Sequence, residues 1–170
     1  LASVLSSKSN LSSQLNFTLF PVPDPPEDGK HIDPTKCDTS FYPKSVCQCE
    51  VHEACAVHVS GCQNGCSGAE LDTLASFLGC YVKGNPSDED NCGPQHLHPC
   101  IKSSGLDSTA MTTCIKNPKA YNPVVVEAYQ KSKKIQTYPY AVVNGKIQPQ
   151  GIDATELAKA LCKAGADKAC

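Results

Sequence analysis

Tyr138-Pro139-Tyr140-Ala141-Val142-Val143-Asn144-Gly145-Lys146-Ile147 reads as a β-hairpin. Aromatic and β-branched residues fill the first arm, and Asn144-Gly145 supplies the two left-handed positions of a tight turn, so the chain returns through Lys146 and Ile147. Downstream, Asp153 and Glu156 form a capping-box-like helix start, with Leu157, Ala160 and Leu161 as the apolar stripe and a stop before Gly165. Cys162 and Cys170 pin this end.

Upstream of the hairpin the periodicity is helical. Ser67 and Glu70 make a capping box, and Leu71, Leu74, Ala75 and Leu78 predict a helix over Ala69–Tyr81. Gly84 to Pro99 reads as a polar loop. Asp107 caps a short helix through Cys114, and Asn122-Pro123 opens another running to about Lys133. Between Cys37 and Cys66 lie six cysteines and few long apolar residues, which predicts a stretch that buries little and is held by covalent bonds.

The N-terminal part differs in character. Residues 1–16 are Ser-rich and read as a flexible arm, leading into a short strand, Phe17-Thr18-Leu19-Phe20. Residues 21–34 carry five prolines (Pro21, Pro23, Pro25, Pro26, Pro34), whose fixed φ and missing N–H forbid a helix, so an exposed loop is expected. The 170 residues suit a single domain, 1–170, in which 62–135 forms a helical insertion.

Composition places this domain outside the reducing cytosol. There is no Trp and only four Phe, so the core is lean, while twelve cysteines, an even number, can pair and constrain the unfolded chain. Two glycosylation sequons, Asn10-Leu11-Ser12 and Asn16-Phe17-Thr18, point the same way. A secreted, extracellular location follows as the expectation, and Leu1 reads as the start of a mature or trimmed product. Net charge is -2 and the pI about 6.2, so no global field draws the chain to nucleic acid. The apolar runs fall short of the roughly 20 residues that span a bilayer.

The order of elements and the cysteine spacing resemble those of the gamma-interferon-inducible lysosomal thiol reductase (GILT) family. Its signature runs Cys-Gln-His-Gly, Glu-Cys, Asn, then Cys fifteen residues after the first; here Cys47 and Cys62 keep that span, Cys47-Gln48 matches, and Cys49 replaces the His. Glu53-Ala54-Cys55 carries one extra residue, and His58 stands near the Asn position. Cys80, the pair Cys100 and Cys114 flanking a helix, Tyr138-Pro139, Val143-Asn144-Gly145-Lys146, Cys162 and Cys170 extend the likeness. The resemblance implies a mixed α/β, thioredoxin-like fold with a helical insertion, in which Pro139 matches the cis-proline that faces the active site.

The family's chemistry needs a Cys-x-x-Cys at a helix start after the first strand, where the helix N-terminus stabilises a thiolate. At that position this chain has Pro25-Pro26-Glu27-Asp28, and no Cys-x-x-Cys occurs anywhere in it. The segment up to Cys47 is also short for the family, implying truncation near the first helix. Cys37, Cys49, Cys66 and Cys92 have no counterpart in the family ladder and are expected to form two added disulfides.

The resemblance therefore implies a redox-inactive relative, like secreted and salivary insect proteins of this type, that binds a protein or cell-surface partner. No catalytic residue, metal or cofactor is expected. The alternative is a thiol oxidoreductase working through Cys47 and Cys49 or another labile pair, in an acidic, lysosomal setting. His52, His58, His96 and His98 raise zinc as a further reading, with His96-x-His98-x-Cys100 compact enough to ligate, but paired Cys-x-x-Cys knuckles are missing. Lys131-Ser132-Lys133-Lys134 could bind a polyanion, although lysines at a helix end ordinarily just complement its dipole. No phosphate loop or hydrolase triad signature is present.

Overall fold

The computed structural model describes residues 11–18, 44–83, 94–132, 141–148 and 152–170, with backbone only at 44–47 and 128–132. Asn10, residues 21–34 with Pro25, Pro26, Glu27 and Asp28, Cys37, the Cys47 side chain, Cys92 and Pro139 lie outside this description. What is described is mostly helical. The helices are α1 (Lys44–Val59), α2 (Gly68–Tyr81), α3 (Pro94–Ser104), α4 (Ser108–Ile115), α5 (Pro118–Ser132) and α6 (Ala154–Lys163). β1 (Val142–Val143) and β2 (Lys146–Ile147) form a two-stranded antiparallel sheet.

The largest departure from the sequence expectation is α1. The stretch predicted to bury little is a helix at the centre of the core, packed on α4 and α5. Val51, Ala54, Cys55, Ala56 and Val57 are all buried. The reason is that Cys and Ala are small hydrophobes in their own right, so a helix without Leu or Phe can still present an apolar surface. Cys55 also bonds to Cys114, joining α1 to α4.

Helix α2 lies where predicted, with Leu71, Leu74, Ala75 and Phe77 buried. Its expected capping box does not form: Ser67 occupies the N-cap without a side-chain hydrogen bond, and Gly68 enters with φ +57°. α3 begins at Pro94, so the loop expected through Pro99 ends earlier; Leu97, Cys100 and Ile101 give it a helical buried face. α4 is capped as predicted, with Asp107 Oδ1 accepting from the backbone N–H of Thr109 and Ala110 at 2.8 and 2.9 Å. α5 starts one turn before the expected Asn122-Pro123. The same cap-and-proline logic operates at Asn117-Pro118, where Asn117 Oδ1 accepts from Lys119 N–H at 3.2 Å, and Pro123 sits inside the helix.

The hairpin has the predicted register, Val142 opposite Ile147 and Val143 opposite Lys146, with Asn144 (φ +46°) and Gly145 (φ +75°) in the turn. Asp153 Oδ1 accepts from Glu156 N–H at 2.8 Å to start α6, which ends before Gly165 (φ +97°). Among the described residues these two short strands are the whole sheet, and of the mixed α/β fold expected the structure shows the coarser part, helices with a small sheet. Of the predicted strand at Phe17, the described part is one antiparallel bridge to Cys66.

The segment 11–16 is not a flexible arm. Leu11 is fully buried, Ser12 Oγ donates to Asp72 Oδ2 at 3.0 Å, and Gln14 Oε1 accepts from Lys168 N–H at 2.8 Å. Leu15 packs against both the helical core and the smaller cluster of Leu11, Ala166 and Ala169. Four disulfides are described: Cys55–Cys114, Cys62–Cys66, Cys80–Cys100 and Cys162–Cys170. Cys66 thus bonds to Cys62, so the expectation that the four unmatched cysteines pair among themselves does not hold. Cys100 in α3 and Cys114 in α4, expected to flank a helix as a pair, bond to Cys80 and Cys55 and not to each other.

Candidate functional site

The chemistry-bearing side chains that the fold brings together lie where the C-terminal turn of α2 meets α1 and α3. Tyr81, the last residue of α2, is its centre. Its ring stacks on Phe77 one turn earlier, at a centroid distance of 5.1 Å, and on His96 of α3 at 5.5 Å. His52 of α1 meets it edge-on at 5.9 Å. Both Tyr81 and His52 are buried.

Two hydrogen bonds order the cluster. His52 Nδ1 and Tyr81 Oη are 2.6 Å apart. Burial lowers His52 from its usual 6.5 to about 4, with a smaller push from His98, so the imidazole is neutral near pH 7. Burial, and then the charge of Glu53, push the Tyr81 phenol up, so it keeps its proton. A protonated phenol beside a neutral imidazole fits Tyr81 O–H donating to Nδ1, which leaves the ring proton on Nε2. The second bond has only one direction: His96 Nε2–H donates to the Tyr81 carbonyl at 2.8 Å. That carbonyl belongs to the last turn of α2, where acceptors lack intrahelical partners, so His96 caps the helix.

Glu53 completes the group. It is half-buried on α1 next to His52, and burial raises its carboxyl from 4.5 to about 7. The Cys80–Cys100 disulfide ties α2 to α3 one residue from Tyr81, holding the faces that carry Tyr81 and His96 together.

The arrangement can hold protons and fix helix ends; it offers no thiol. Among the described residues no cysteine is free, and Cys49 is disulfide-bonded as well. Cys100 is committed to Cys80, which removes it from the His96-x-His98-x-Cys100 ligand set. His98 and His58 are exposed, and no group of three or more potential metal ligands forms among the described residues. Asn16 is exposed. No described helix is long and apolar enough to cross a membrane.

In the sequence His52 and His96 read only as zinc candidates, with nothing connecting them to Tyr81. The available signal was helical spacing in α1: once Cys55 counts as a core residue, His52 three positions earlier falls on a buried face. Searches among protein-family models, curated proteins and solved structures find no match to the chain.

Proposed function

We propose that this chain is a secreted, redox-inactive relative of the GILT family that acts by binding a protein or cell-surface partner. The observation that carries the reading is how the cysteines are used. The sequence contains no Cys-x-x-Cys, and Cys55, Cys62, Cys100 and Cys114 are at most 2% exposed, bonded inside the core. Thiol exchange needs an accessible sulfur, so buried staples of this kind serve as scaffold. The β1–β2 hairpin followed by α6 is in keeping with a thioredoxin-like ending, and the proposed fold is a thioredoxin-like domain with a helical insertion.

The binding element in this reading is the segment 21–34, because its five prolines lower the conformational entropy lost on docking. Deletion of residues 21–34 is expected to abolish binding to a partner recovered from the native source while leaving the disulfides closed; unchanged affinity would refute the assignment of the loop. In a disulfide-reduction assay the protein is expected to show background turnover only. Turnover that disappears in Cys49→Ser would establish the oxidoreductase alternative.

A further inference from the structure

Asn16 lies where the chain passes from the 3-10 turn Ser12–Gln14 into its bridge with Cys66. Leu15 before it is extended (φ -106°, ψ 142°), and Phe17 after it exchanges both backbone hydrogen bonds with Cys66, at 2.8 and 2.9 Å. The backbone of Asn16 is therefore fixed on both sides, while the residue as a whole is exposed.

The carboxamide lies over Gly65, in the short loop closed by the Cys62–Cys66 disulfide. Gly65 has φ +99°, and a Cβ built on it would overlap Asn16 Oδ1 and stand 3.4 Å from Nδ2. Glycine is needed here for the left-handed backbone and for the space above it. Thr18, two positions after Asn16, supplies the hydroxyl of the sequon.

We propose that Asn16 carries an N-linked oligosaccharide, attached through Nδ2 at the rim of the Cys62–Cys66 loop. The donor is a lipid-diphosphate-linked oligosaccharide of the secretory pathway. Nδ2 forms a bond to C1 of the first sugar, the bond from C1 to the diphosphate oxygen breaks, the amide releases one proton, and the lipid diphosphate departs. The backbone of Phe17 is engaged by Cys66 in the folded chain, so transfer precedes closure of that bridge. The glycan then covers the face formed by residues 61–67 and directs any binding partner to another side of the molecule.

The proposal rests on the secretory reading, and the experiment separates the two. The full chain is produced with an export leader in a eukaryotic host, and its peptides are mapped with and without peptide N-glycosidase F, alongside a count of free thiols. The expected result is a glycan on the Asn16 peptide, removed by the enzyme with conversion of Asn16 to Asp, and lost in Thr18→Ala, which keeps the Asn16 side chain over Gly65. An unmodified Asn16 in protein whose disulfides are closed overturns the proposal alone, as does a glycan that persists at residue 16 in Thr18→Ala. An unmodified Asn16 with open thiols overturns it together with the secretory reading.

Discussion

Among the described residues, twenty buried ones from α1 to α5 and their connections form one cluster, whereas around α6 those buried are Leu11, Ala166 and Ala169, with none in α6 itself. Apart from the local Cys62–Cys66 staple within the helical body, the described disulfides follow the same division. Cys55–Cys114 and Cys80–Cys100 join different helices across 59 and 20 residues, while Cys162–Cys170 closes a loop of 8. The hairpin beside α6 leaves Val142 and Ile147 half or more exposed. The difference teaches that a lean composition is concentrated in one place: among the described residues the helical body holds most of the buried apolar side chains and the long cross-links, and the C-terminal part depends on Leu11, Leu15, the Gln14–Lys168 bond and a local staple.

The cross-links give the largest test. By loop entropy alone, closing 59 residues constrains the unfolded chain by about 4 kcal/mol and closing 8 residues by about 2.5 kcal/mol. Removing Cys55 and Cys114 together as alanines should therefore lower the stability of the whole protein in urea more than removing Cys162 and Cys170. Equal losses would erase the distinction between the two regions.

Core truncation comes next. Phe77→Ala removes a fully buried ring stacked on Tyr81 and should cost about 3–5 kcal/mol, while Leu157→Ala on half-buried α6 should cost about 1 kcal/mol. A loss at Leu157 as large as that at Phe77 would show that the C-terminal region shares the main core.

The titratable side chains of His52 and Glu53 sharpen the comparison through pH. Because Glu53 moves from 4.5 to about 7 on folding, its contribution is lost as pH rises through that interval; because His52 moves from 6.5 to about 4, its contribution is lost as pH falls through its own. From pH 4.5 to 6.5 the two slopes oppose each other. Relative to wild type, Glu53→Gln should lose stability towards acid and His52→Gln should lose it towards neutrality. Denaturant midpoints at pH 4.5, 5.5 and 6.5 measure this, and parallel profiles for all three proteins would contradict it. Within the same cluster, Tyr81→Phe leaves His52 Nδ1 without its partner and should cost about 1–2 kcal/mol, read from the same midpoints.

Local signals were the most legible in the sequence. Asn144-Gly145, Asp107, Asp153 and the Leu71-Leu74-Ala75 spacing each specify a turn, a cap or a buried face through short-range chemistry, and each is realised. What was not legible depends on partners distant in the chain. α1 reads as a stapled coil unless cysteine is counted as apolar, and Leu11 reads as part of an arm because the residues that bury it, Ala166 and Ala169, come more than 150 positions later. The His52–Tyr81–His96 cluster was hidden for the same reason, since three helices meet to form it. Cysteine connectivity follows three-dimensional proximity, and even six cysteines allow 15 pairings.

The account stands or falls on the state of the cysteines in the native protein, which thiol titration with peptide-mapped disulfides measures directly. The expected result is no titratable thiol, with Cys55–Cys114, Cys62–Cys66, Cys80–Cys100 and Cys162–Cys170 as observed and resistant to mild reductant in the folded protein. A free thiol, or one bond that opens readily and reversibly while the fold persists, would contradict a redox-inactive scaffold.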